Sequence, residues 1–181
     1  MDLQLTDDHF ALMGLPRRQS LDRAGLDARY REILARVHPD RHAGGTSADQ
    51  RLAMQWATRI NEAYQTLKSP LARARYLLTL GGHDIGSESN TAMPTQFLME
   101  QMELREAVED AKHSGGETAH RALVDLSARL AAQIAAGHAR LETQLDDAAD
   151  AAGAAALVRQ LMFEEKLRDE VDDALDAITE H

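Results

Sequence analysis

The chain has 181 residues, 44% hydrophobic and 28% charged, with a net charge of −10; this is a globular composition for one or two domains and excludes a wholly disordered chain. Cysteine is absent, which rules out disulfides, thiolate zinc sites, cysteine nucleophiles and clusters held by the chain's own sulfur. No apolar run approaches the roughly 18 residues of a membrane span, the start Met1-Asp2-Leu3-Gln4 lacks the regions of an export signal, and the negative total repels phosphate backbones. The expectation is a soluble, cytoplasmic protein that binds neither membranes nor, in general, nucleic acid.

Helix formers dominate, and the aromatic residues are three Phe, three Tyr and one Trp, so the expected fold is all-α. A short helix near Asp8 to Met13 comes first. From Leu21 to Val37, the residues Leu26, Tyr30, Ile33, Leu34 and Val37 recur on one helical stripe. Pro39 ends that helix by biasing His38 away from helical geometry. Ser47 reads as the N-cap of the next, whose stripe is Ala53, Ala57, Ile60, Tyr64 and Leu67, with Trp56 and Tyr64 as core residues. The two form an antiparallel hairpin. Pro70 after Ser69 opens another short helix through Ala74, Leu77 and Leu78 to Gly81-Gly82.

The polar stretch from Ser87 to Thr91 reads as a linker, giving a first domain over 1–80, a linker over 81–94 and a second domain over 95–181. Charge divides at the same place. Up to Leu80 there are 12 Lys/Arg against 9 Asp/Glu, net +3; beyond it there are 8 against 21, net −13. Such asymmetry bears on partners rather than on fold. The second part carries three longer helical patterns, Thr95 to His113, Glu117 to Asp146 and Ala151 to Thr179, joined by short links and therefore read as a three-helix bundle. Its middle helix repeats Leu123, Leu126, Leu130, Ile134 and Leu141; its last repeats Val158, Leu161, Leu167, Val171, Leu175 and Ile178.

His38, Pro39 and Asp40 stand at the tip of the hairpin. Proline stiffens the turn, and a held carboxylate can take a charge-assisted pair from a partner's arginine. A catalytic reading fails, because no nucleophile, phosphate-cradling loop or second acid/base pair accompanies them. His38 and His42 are four apart, but the proline interrupts the helix and a third ligand is not evident, so no metal or other cofactor is expected.

Together with Phe10-Ala11-Leu12-Met13-Gly14-Leu15, with Tyr30 eight residues before the histidine, and with Ile60-Asn61-Glu62-Ala63-Tyr64-Gln65-Thr66-Leu67, the motif His38-Pro39-Asp40-Arg41 resembles the J-domain family over about the first 76 residues. The resemblance implies stimulation of ATP hydrolysis by a DnaK-class chaperone, contacted by the loop and the preceding helix: His38, Pro39, Asp40 and Arg41, with Arg29, Arg31 and Arg36. Arg41 stands where lysine is usual in the family, and Glu32 interrupts a stretch that is commonly basic.

In the acidic part, Phe97, Leu104, Val108 and Ala111 fall on one stripe, whereas Leu98, Met99 and Met102 lie on a neighbouring face. Read from residues alone, that face is either a contact surface suited to adaptable methionines or a wider zone of burial. The run from Thr95 to Glu106, with Arg73-Ala74-Arg75-Tyr76-Leu77-Leu78 and the run from Val158 to Arg168, is similar to the iron-sulfur co-chaperone family HscB. This second resemblance implies an adaptor that is not itself an enzyme. It implies further that the bundle binds the scaffold IscU through Leu98, Met99, Met102, Glu103, Arg105, Glu106 and Phe163, and that the J-domain engages the chaperone HscA. The other reading is a general J-protein delivering a different client.

Overall fold

The computed structural model of the chain describes residues 4–37, 44–83, 85 and 93–179. His38, Pro39, Asp40, Arg41 and His42 lie outside the described residues, as does most of the 81–94 segment. The described residues form helices and their connections, with no strand among them. They fall into two compact units, Met1–Gly81 and Gly82–His181.

In the first unit, α1 (His9–Met13) starts where Asp8 accepts hydrogen bonds from the N–H groups of Phe10 and Ala11, and it stops at Gly14 in the left-handed conformation, φ 63°. Helix α2 (Arg23–Val37) is capped by Asp22, which accepts from Ala24 at 3.0 Å and Gly25 at 3.1 Å. The start of α3 (Ser47–Lys68) corrects the sequence reading. Thr46, not Ser47, is its N-cap, because Asp49 three residues on completes a capping box with Thr46. Ser69 caps α4 (Pro70–Leu80) with Pro70 in its first turn, as its sequence indicates.

These helices enclose Phe10, Leu12, Met13, Leu26, Ile33, Ile60, Ala63 and Leu67, with Tyr30, Val37, Trp56 and Tyr64 packed against them. Helix α2 lies antiparallel to α3. Tyr30 stacks on Tyr64 with ring centroids 4.0 Å apart, the Tyr30 hydroxyl donates to Asn61 at 2.7 Å, and the Tyr64 hydroxyl donates to Asp27 at 3.0 Å. At the far end, Arg73 is buried at 6% exposure and donates through Nε to the Gln19 carbonyl at 2.9 Å and through Nη1 to the Leu67 carbonyl. Gln19, fully buried, donates to the Pro70 carbonyl at 2.9 Å. A buried cation is tolerated only when it is well supplied with acceptors, and the C-terminal carbonyls of α3 supply negative dipole.

The second unit is a three-helix bundle of α5 (Thr95–Ser114), α6 (Gly116–Glu142) and α7 (Ala151–Thr179), with a π-helical turn, Thr143–Asp147, following α6. Gly115 and Gly116 both take positive φ, which lets α5 and α6 connect almost directly. The middle helix ends at Glu142, short of the expected Asp146, because a π-helical turn takes over from Thr143. Val108, Leu123, Leu126, Leu130, Leu167, Val171 and Ala174 form the core. Helix α6 runs antiparallel to α7, as the pairs Ser127 with Asp172 and His138 with Glu165 require. Gly137 marks their closest approach: a Cβ there would stand 2.6 Å from Cδ2 of Leu161.

In α1, the His9 ring stacks on Tyr76 with centroids 4.3 Å apart, and its backbone N–H donates to the Tyr76 hydroxyl at 3.0 Å. Burial, and then the charge of Arg59, hold its pKa below the ordinary 6.5, against the smaller opposing pull of Glu62 and Asp8. The unfolded chain therefore takes up this proton more readily than the folded one. The stability contributed by neutral His9 is present above about pH 6.5 and is lost as the pH falls towards the lowered folded value. Urea unfolding followed by the fluorescence of Trp56, the single tryptophan, is expected to show a greater loss of stability between about pH 7.5 and about pH 5.5 in the wild type than in His9→Phe. Equal losses contradict this account.

Candidate functional site

Each unit presents one candidate surface. On α2, the residues Leu26 and Ile33 turn inward, which leaves Arg29, Arg31 and Arg36 exposed. They are not three independent cations. Glu32 accepts from Nη1 of Arg29 at 2.9 Å and from Nη2 of Arg36 at 2.6 Å, so it joins two of them along one helical stripe. Arg29 also donates through Nε to the carbonyl of Met13, at the C-terminal end of α1, at 3.3 Å. Arg31 donates through Nε to the Asp27 carbonyl at 3.2 Å. In sequence Glu32 reads as an interruption of a basic face; in the fold it organises that face. In sequence, the His-Pro-Asp tripeptide follows α2 directly.

On α5, the inward stripe has Gln101 and Val108 buried and Phe97, Leu104 and Ala111 half-buried, and it leaves Met99 57% exposed and Met102 70% exposed. Leu98 is half-buried, and Glu103 and Glu106 are exposed. Two of the seven residues expected here are engaged with neighbours. Arg105 donates through Nε to Glu170 of α7 at 2.7 Å, and Phe163 of α7 is half-buried beside Phe97, edge-on with centroids 5.9 Å apart. The face is therefore an apolar strip on α5, with acidic residues beside it and Phe163 on the adjacent helix.

Among the described residues no group of three or more His, Asp or Glu side chains could hold a metal. No helix of the described residues is long and apolar enough to cross a membrane.

Comparison with known proteins matches a family model within each of the two units. Residues 8–76 match the DnaJ domain, and residues 93–172 match the HSCB C-terminal oligomerisation domain. The Co-chaperone protein HscB homolog of Aromatoleum aromaticum is 48% identical, over 98% of this chain and 99% of that protein. This chain belongs to the HscB co-chaperone family. The HscB homolog of Burkholderia multivorans is 53% identical over 93% of this chain and 94% of its own. Among solved structures, the chaperone HscB from Vibrio cholerae superposes with a TM-score of 0.84 at 37% identity, covering 95% of this chain and 99% of that one. The human co-chaperone protein HscB also gives 0.84, at 26% identity, covering 95% and 84%.

Within this HscB chain, sequence reasoning passed over Gln101 and the role of Glu32. The signal for Gln101 was its position, four residues after Phe97 and three before Leu104, which completes the inward stripe despite its polarity. At Gly14 the backbone is left-handed and an added Cβ would lie 2.6 Å from Nη2 of Arg29. Gly14→Ala is expected to lower the unfolding free energy by about 1–2 kcal/mol, from backbone strain, and to dislodge Arg29 from Met13. A change below about 0.5 kcal/mol in denaturant unfolding, the level of ordinary surface substitutions, argues against that role for the glycine.

Proposed function

We propose that the protein is an adaptor in iron-sulfur cluster biogenesis, holding a scaffold of the IscU type on its bundle and delivering it to a DnaK-class chaperone of the HscA type, whose ATPase it stimulates. The observation that carries this reading is the exposure of Met99 and Met102 together on α5, beside the acidic Glu103 and Glu106. Two large apolar side chains side by side in solvent suit a contact surface, and an unbranched thioether adapts to the shape it meets. Leu98 and Phe163 extend the apolar area, and Arg105, held by Glu170, contributes at its edge.

The chaperone contact falls to the other unit, through His38, Pro39, Asp40 and Arg41 with Arg29, Arg31 and Arg36 of α2. The link from Arg29 through Glu32 to Arg36 limits the side-chain freedom lost on docking. Hydrolysis takes place in the chaperone. The adaptor accelerates it by binding more tightly to the hydrolysis-competent conformation than to its alternative, since only differential affinity shifts such an equilibrium. Chaperone ATPase turnover, measured with this protein alone, with scaffold alone and with both, is expected to rise more than additively when both are present; simple additivity refutes the adaptor.

Two substitutions separate the surfaces. His38→Gln is expected to return ATPase turnover to its basal rate while scaffold affinity stays within about twofold of wild type; retained stimulation removes the loop from the contact. Met99→Ala combined with Met102→Ala is expected to weaken scaffold binding by about 2–4 kcal/mol in calorimetry, as loss of central anchors does. An unchanged affinity removes this face from the interface.

A further inference from the structure

We infer that Glu164 and Gln101 form a receptor, in the seam between α5 and α7, for a Lys or Arg side chain of the bound scaffold; the inference rests on the scaffold reading above. Glu164 is 6% exposed and lies on the inward stripe of α7 between Leu161 and Leu167, both fully buried. Among the described residues its hydrogen-bond donor is a neutral one, Nε2 of Gln160 at 2.7 Å. Gln101 is 5% exposed, and its Oε1 is buried and accepts no hydrogen bond from the described residues.

Two contacts fix the register of the helices. Phe97 meets Phe163, and Arg105 meets Glu170. Helices α5 and α7 therefore run parallel, and Gln101 falls at the level of the turn from Glu164 to Leu167. Both acceptors belong to this one layer. In sequence each adjoins a residue of the candidate face, Gln101 next to Met102 and Glu164 next to Phe163.

Folding gains nothing from this arrangement. A buried carboxylate facing one neutral donor is poorly compensated, and a well-packed apolar residue there is generally the more stable choice. Of the chain's own cations nearby, Arg105 pairs with Glu170 at 2.7 Å and Arg168 lies 3.7 Å from Asp172. The surplus acceptor capacity, with Glu103 and Glu106 exposed elsewhere on α5, complements a positive charge. A lysine or arginine suits the path, because its aliphatic stem can lie along the methionines while its head reaches the polar seam.

The test is calorimetric titration of an IscU-type scaffold into the full chain at low and high salt, paired with thermal unfolding. Glu164→Gln is expected to raise Kd about tenfold, with Tm unchanged or higher, and to show a shallower salt dependence than wild type. Glu164→Leu is expected to weaken binding while raising Tm. Met99→Ala with Met102→Ala serves as the parallel control. If the control weakens binding and Glu164→Gln stays within about twofold of wild type, the receptor is refuted while the methionine face stands. If neither changes affinity, both fall. Parallel salt slopes, or a drop in Tm accompanying the loss of affinity in both Glu164 variants, also overturn the receptor.

Discussion

The arrangement of the first unit depends on the clamp between α2 and α3. Stacked Tyr30 and Tyr64 sit in the middle of the hairpin, and polar ties lie along its length: Tyr30 to Asn61, Tyr64 to Asp27, and Arg23 to the Lys68 carbonyl at 3.2 Å. Aromatic stacking contributes about 1 kcal/mol beyond its buried area, but the combination also fixes register. A slip of one turn separates the rings and breaks the directional bonds together, so few alternative pairings compete. With register fixed, the arginines of α2 face outward.

The bundle uses a different device. Its leucine stripes specify burial but little direction, and direction comes from a few polar pairs, all involving α7: Arg105 with Glu170, Ser127 with Asp172, and His138 with Glu165. Helix α7 packs on both its neighbours, and Gly137 lets α6 approach it closely enough for Leu161 to fill the space a side chain would occupy. A glycine inside a helix costs about 1 kcal/mol relative to alanine; at this position it is offset by packing. The methionine face of α5 is what remains after α6 and α7 have covered the other sides.

Much of this was legible in the sequence, for reasons that differ by element. Apolar spacing located the helices, and the Ser69-Pro70 pair marked the start of α4, because each signal is local and strong. Thr46 and Ser47 are both competent caps, and only the partner three residues on, Asp49, separates them. Arg73 reads as a surface residue until the carbonyls of Gln19 and Leu67 are brought to it from distant parts of the chain. Gln101 and Glu164 were obscured by their polarity, which argues for solvent unless stripe position is weighed first. Leu98, Met99 and Met102 could not be placed by periodicity, since α5 carries apolar residues on two faces and the number of neighbouring helices decides which face is covered. The His-Pro-Asp tripeptide lies outside the described residues, so its reading continues to rest on the motif and its flanking sequence.

The two fastenings of the first unit respond differently to acid. At α1, the Asp8 carboxylate is held below its usual range: burial raises it, but the Arg17 guanidinium and the N–H groups of Ala11 and Phe10 outweigh that, and neutral His9 adds a second proton-sensitive group. At the junction of α3 and α4, the acceptors for the Arg73 guanidinium include two main-chain carbonyls, which do not titrate. Acidification therefore weakens the anchoring of α1 while leaving these carbonyl contacts of Arg73 untouched.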